Sequence, residues 1–214
     1  MRPGRTSRHR SRSDGSAMQY TRGETVEARV HTVRRLSRWA ATAVRSWKLI
    51  ETNIESDETS DLLDPYRPYF VVSAHSHREL GFLYLNAVFE RRDGTVNFYS
   101  ICKHLQRHGV EVGHIQEDIN QHAIALRKLH AIRGAAIGHR TSAQSYDETF
   151  AKIRMTLDEL EELVSPSRRC SNALAAAVGI KPEPLMADAV TYLGDILDTL
   201  AATTKSKQQS SPWN

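Results

Sequence analysis

The sequence predicts an all-α bundle of five to seven helices. Three observations carry that expectation. Apolar residues recur at spacings of three, four and seven along most of the chain, no window alternates apolar and polar residues for long enough to form a strand, and the breaks between periodic stretches hold acids, glycines and prolines.

From Glu24 to Ile54, the positions Val26, Val30, Val33, Ala40, Val44 and Trp47 share one helical face and predict a long first helix. The segment ESDETSDLLDPYRP ends it with acids, hydroxyls and two prolines. A second helix is expected to bury Leu80, Leu83, Tyr84, Ala87 and Val88, and Asp93-Gly94 closes it. Thr95 is the expected cap of a short third helix with Phe98, Ile101, Cys102 and Leu105 inside, stopped by Gly109 in the left-handed position.

A fourth helix starts near Val112, and its three-four spacing selects Ile115, Ile119, His122, Leu126, Leu129, Arg133 and Ala136. Ser145 and Glu148 have the spacing of a capping box, opening a fifth helix with the stripe Phe150, Ile153, Leu157, Leu160 and Val164, which Pro166 should interrupt. A helix through Leu174 to Val178 and a last one through Met186, Val190, Leu193, Ile196 and Leu200 complete the chain, with GIKPEP between them.

The 214 residues fit one domain, and no apolar run approaches the roughly 18 to 20 residues of a membrane span. The basic balance is local. Residues 1–16 hold five arginines and one aspartate, which accounts for the whole formal charge of +4, so the body of the chain is neutral. Such an Arg/Ser segment has no apolar surface to bury and acts as a solvated electrostatic arm, a dispensable tail, or residues ahead of a start at Met18. The expected organisation is a disordered basic tail over 1–23, a helical domain over 24–204 and a second disordered tail over 205–214. No apolar stretch of a secretion signal follows the arginines, so the expected compartment is the cytoplasm. Cys102 and Cys170 show no paired motif and are expected to be unpaired thiols.

The stretch LRKLHAIRGAAIGHRTSAQSYDE puts Arg133 on the expected buried side of the fourth helix. An ion left there without partners costs several kcal/mol, so the helix end is solvated, or the guanidinium meets an anion or a second subunit. On a straight helix Arg133 and His139 would point to different faces about 9 Å apart along the axis. Gly134 and Gly138 weaken the helix, and a left-handed Gly138 would let His139 fold back beside Arg133. Spacing alone equally allows Arg133 to snorkel at a frayed end and His139 to satisfy terminal carbonyls. His122 and His130 share that inward side and either line the same cleft or pack in the core or a dimer contact.

At Arg133, five residues, then His139, the chain resembles HEPN domains and their Arg-x4-6-His signature. Together with YFVVSAHSHRELGFLYLNAVFERRDGTVNFYSICKHL, IRGAAIGHR and YDETFAKIRMTLDELEELV, residues 24 to 180 are similar to abortive-infection HEPN proteins of the AbiU type. In that family the arginine usually opens Arg-Asn-Lys and the histidine sits in Ala-His-Arg or Ala-His-Asp. Here Arg133 and His139-Arg140 match, while Gly134 stands in the polar position and Gly138 in that of the alanine.

The resemblance implies a HEPN-like bundle and metal-independent cleavage of RNA in phage defence. In that reading His139 moves protons, Arg133 stabilises charge on the phosphate, and Arg140 and His130 contact the RNA. It also implies a homodimer with two motifs facing one groove, and an antitoxin partner. No cofactor and no metal is expected: His75 with His77, and His104 with His108, offer two ligands without an evident third. The tyrosine that some HEPN toxins carry two residues after the histidine is replaced by Thr141. An alternative from a different class is a non-catalytic HEPN-like module that binds nucleotide, RNA or a protein partner, which Gly134 favours.

Overall fold

A computed structural model describes residues 24–56, 63–134, 146–181 and 188–209 of the chain. Among these residues the protein is all helical, with no strand. Its helices are α1 (Val26–Glu55), α2 (Arg67–Phe89, entered through a 3-10 turn at Asp64–Tyr66), α3 (Phe98–Arg107), α4 (Gly113–Gln121), α5 (Ala123–Ile132), α6 (Tyr146–Ile153), α7 (Leu157–Ala177) and α8 (Asp188–Gln209). The basic segment 1–23, the Ser145 cap and the last five residues, 210–214, lie outside the described residues.

Helix α1 is the spine. Thr25 caps it by accepting from the Ala28 N–H at 3.2 Å, and it buries the expected Val30, Val33, Ala40, Val44 and Trp47 against α2 and α7, with smaller contacts to α3 and α8. At Gly81 α2 packs tightly on α1: an added Cβ would sit 2.9 Å from Cγ2 of Val44.

That crossing corrects the expected face of the second helix. Phe82, Leu85, Val88 and Phe89 are buried, whereas Leu80 and Leu83 are each 37% exposed. The segment ELGFLYLNAVF is apolar almost all the way round, so its periodicity has no unique phase. Close approach at Gly81, which carries no side chain, decides which side faces α1.

Helix α3 buries Phe98, Ile101, Cys102 and Leu105 as expected, but Asn97 and not Thr95 is its cap. The Asn97 Oδ1 accepts from the Ser100 N–H at 2.7 Å, and Ser100 Oγ accepts from the Asn97 N–H at 3.3 Å. Thr95 instead accepts from the Asn97 Nδ2 at 2.8 Å, which holds the capping side chain in place. Gly109, with φ of +78°, occupies the expected left-handed position.

The expected fourth helix is two helices. His122, at φ −101° and ψ 20°, ends α4 and precedes α5. Leu126 and Leu129 are buried as expected, but the stripe continues to Ile132, 0% exposed, and not to Arg133. Arg133 is half-buried instead.

The fifth helix is also broken. Arg154 adopts a left-handed conformation at φ +52°, and a new helix begins at a Thr156/Glu159 capping box, with reciprocal bonds of 3.1 and 2.9 Å. Lys128 of α5 donates to the Arg154 carbonyl at 3.0 Å and pairs with Glu159, tying the junction to α5. From there α7 runs through Pro166 to Ala177 and absorbs the separate helix expected at Leu174. A mid-helix proline costs about 3 kcal/mol, but burying Leu160, Leu163, Val164 and Leu174 returns roughly 1.5–3 kcal/mol each, so packing decides. Gly179 (φ +71°) ends α7 in a Schellman arrangement, with Ile180 N–H donating to Ala175 at 2.9 Å and Gly179 N–H to Ala176 at 3.1 Å.

On α8 Leu197 is buried, 3% exposed, while Ile196, expected inside, is 54% exposed. The helix also continues to Gln209, past the expected boundary at 204. Residues 205–209, assigned to a disordered tail by composition, are Lys, Ser, Lys, Gln and Gln, of which the lysines and glutamines are good helix formers. No helix among the described residues is long and apolar enough to cross a membrane.

Candidate functional site

Helix α5 ends in a π-type turn at Arg133 and Gly134, a rare local geometry that recurs at functional positions. Both residues line a cleft of about 560 Å³, which sits between the C-terminal end of α2, the start of α3 and the α4–α5 face. Among the described residues, a side chain at position 134 would meet nothing within 4 Å.

The floor of the cleft is apolar, made by Ile119, Ala123 and Leu126; its rim is basic. Arg91, Arg92, Arg127 and Arg133 surround it, against one carboxylate, Glu90. The Arg91 guanidinium lies 4.5 Å over the Tyr99 ring and donates to the Asn120 Oδ1 at 3.2 Å, which holds its plane in place. Among the described residues, no carboxylate comes within ion-pairing distance of Arg92, Arg127 or Arg133.

His130 is one turn before Arg133 on the same helix. Its Nδ1 lies 2.7 Å from the Oδ1 of Asn86, a buried residue of α2. A carboxamide oxygen only accepts, so Nδ1 carries the proton and Nε2 keeps a lone pair. Burial is the main cause that pushes the imidazole below its ordinary value of 6.5; Glu90 opposes this and Arg91 adds to it. A neutral histidine beside unpaired guanidinium groups can accept a proton while the arginines hold an anion.

The structure therefore brings Arg133 and His130 to one cleft. His122, grouped with them by spacing, sits at the α4–α5 junction and does not line it. His139 and Arg140 lie outside the described residues; α5 and α6, which flank that segment, are in contact. Arg91, Arg92, Tyr99 and Asn120 were not legible as site residues because they come from a helix end and two other helices. The run ERRDG at 90–94 was their one sequence signal.

Three other histidines have local partners. His104 and His108 stack with ring centroids 4.5 Å apart, and His108 Nδ1 bonds the His104 carbonyl at 2.9 Å. His75 meets Glu79 at 3.2 Å and Arg78 at 2.9 Å. Among the described residues no group of three or more His, Cys, Asp or Glu is placed to hold a metal ion. Cys102 and Cys170 are both buried and free, their thiols pushed up to about 11 and about 12, chiefly by burial.

In comparisons with protein-family models, curated proteins and solved structures, nothing matches the chain.

Proposed function

We propose that this chain is a HEPN-like, metal-independent endoribonuclease of phage defence, an abortive-infection toxin acting through Arg133 and His139. The observation that carries the reading is the position of Arg133, half-buried at the end of α5 with no carboxylate partner among the described residues and with His130 in the same cleft. A guanidinium kept without an acid is chemically suited to a phosphate.

In the proposed reaction the ribose 2′-oxygen attacks the adjacent phosphorus as an imidazole takes the hydroxyl proton. The bond to the 5′-oxygen of the next nucleotide breaks as that oxygen gains a proton, leaving a 2′,3′-cyclic phosphate and a free 5′-hydroxyl. His139 handles the protons, Arg133 stabilises the charge that builds on the phosphoryl oxygens, and His130 and Arg140 hold the RNA. A homodimer would place a second motif across the groove, and an antitoxin would be its natural restraint. The cytoplasm, where RNA is accessible, is the compartment this activity requires.

The reading is tested by incubating purified protein with single-stranded and structured RNA in EDTA. Cleavage should persist in EDTA and fall at least ~100-fold in His139→Ala and Arg133→Ala with affinity held within a few-fold. Intact RNA at micromolar native protein sinks it. The second reading, a non-catalytic module binding nucleotide, RNA or a protein partner, is favoured by Gly134, where a side chain has room and none is present.

A further inference from the structure

We infer that the cleft is a binding site for one unstacked nucleotide, with the base on the apolar floor of Ile119, Ala123 and Leu126 and the flanking phosphates on Arg91, Arg92 and Arg127. The inference rests on the RNA reading for its source of nucleotides, but it concerns binding and not cleavage.

Size is the first argument. About 560 Å³ falls within the range of small-molecule sites and suits one nucleotide. Surface chemistry is the second: an apolar floor beneath a ring of cations fits a ligand with a flat hydrophobic face joined to an anion. Ala123 is the exposed part of that floor, while Ile119 and Leu126 are 0% and 6% exposed, so a base would lie chiefly on the Ala123 methyl.

Pre-positioning is the third argument. Arg91 is held by the Tyr99 ring and by Asn120, so its remaining N–H groups meet an incoming phosphate at little further entropic cost. Asn120 spends its Oδ1 on Arg91, and its Nδ2 has no protein acceptor among the described residues, which leaves a donor for a base carbonyl. A second, smaller recess of about 370 Å³ shares Arg91, Arg92, Tyr99 and Asn120 and adds Lys103 together with Asp93, which pair at 3.8 Å, so the two shared arginines are the cations it offers to a neighbouring phosphate.

Paired RNA keeps its bases stacked and buried between strands, so a duplex can reach the arginines but not the floor. The site is therefore selective for single strands. Free nucleotides and single-stranded RNA share the recognised chemistry, and the experiment separates them.

Binding is measured in the full-length His139→Ala chain by fluorescence anisotropy, with a fluorescein-labelled single-stranded oligoribonucleotide and the blunt duplex of the same sequence. Competition uses adenosine and uridine monophosphates and inorganic phosphate. The single strand should bind about tenfold more tightly than the duplex, the scale of one base–surface contact. Ala123→Trp, which fills the floor without changing charge, should remove that preference, and Asn120→Leu should weaken it. Arg91→Ala and Arg127→Ala should each weaken the single strand several-fold; Arg107→Ala, at the other end of α3, should not. Thermal melts confirm that each variant is folded.

Nucleotides that compete better than inorganic phosphate support a base subsite, and identify free nucleotide as a second source if they bind without RNA. Equal affinity for single strand and duplex, Ala123→Trp binding like its parent, or no binding at all overturns the inference. The two readings fail separately. If native protein leaves RNA uncut while the cleft variants lose binding, only the nuclease reading falls; if native protein cleaves and the cleft variants bind and cleave unchanged, only the nucleotide subsite falls.

Discussion

The Nδ1 of His130 is 2.7 Å from the Oδ1 of Asn86, a bond that joins α5 to α2 across the wall of the cleft. Asn86 is 6% exposed, so its carboxamide has little access to water and depends on that bond. Replacing it with leucine leaves the imidazole N–H without its partner. Asn86→Leu should lower stability by about 1–3 kcal/mol in urea unfolding, whereas Asn86→Gln should recover only part of it because the longer side chain moves the acceptor.

The pH dependence of stability is set in part by the same histidine. His130 and His77 are both held below their ordinary value of 6.5, first of all by burial, so the unfolded chain binds protons more readily than the folded one. Their contribution is fully present above the unfolded value and is lost as pH falls through the folded one. Melting temperature should be flat from about pH 8 to pH 7 and drop below about pH 6.5. His130→Gln should shallow that drop; an unchanged profile would count against the neutral imidazole.

Gly81 and Gly134 should respond oppositely to added side chains. At Gly81 a Cβ meets Val44 Cγ2 at 2.9 Å, so Gly81→Val should cost about 1–3 kcal/mol in denaturant unfolding through overpacking of α1 on α2. At Gly134 nothing among the described residues lies within 4 Å, so Gly134→Ala should be neutral or stabilising by up to ~1 kcal/mol. Gly134→Asn restores the polar neighbour of the resembled motif and should raise RNA cleavage if the site is catalytic.

Neither thiol should react in the native state. With Cys102 pushed to about 11 and Cys170 to about 12, and both buried, almost no thiolate forms near neutral pH. A colorimetric thiol reagent should find close to none before denaturant and both after it.

If RNA is the substrate, removing residues 1–16 should separate affinity from chemistry. The segment holds five arginines, each able to release a counterion from RNA, so its deletion should flatten the salt dependence of binding while turnover at saturating RNA is retained.

The sequence by itself determined the helical class, the α1 stripe from Val30 to Trp47, the inner face of α3 and the stop at Gly109. Each rests on local periodicity or on one residue's backbone freedom, which act within a few positions of the chain. Tertiary structure decided the rest. The almost uniformly apolar ELGFLYLNAVF had no phase until Gly81 met Val44, Pro166 stayed helical because four buried side chains outweigh one lost backbone bond, and packing put Ile132, not Arg133, in the core at the end of α5. The cleft was the least legible feature for the same reason: Asn86, Arg91, Tyr99, Asn120 and His130 belong to different helices or their ends, and only long-range packing brings them around one floor.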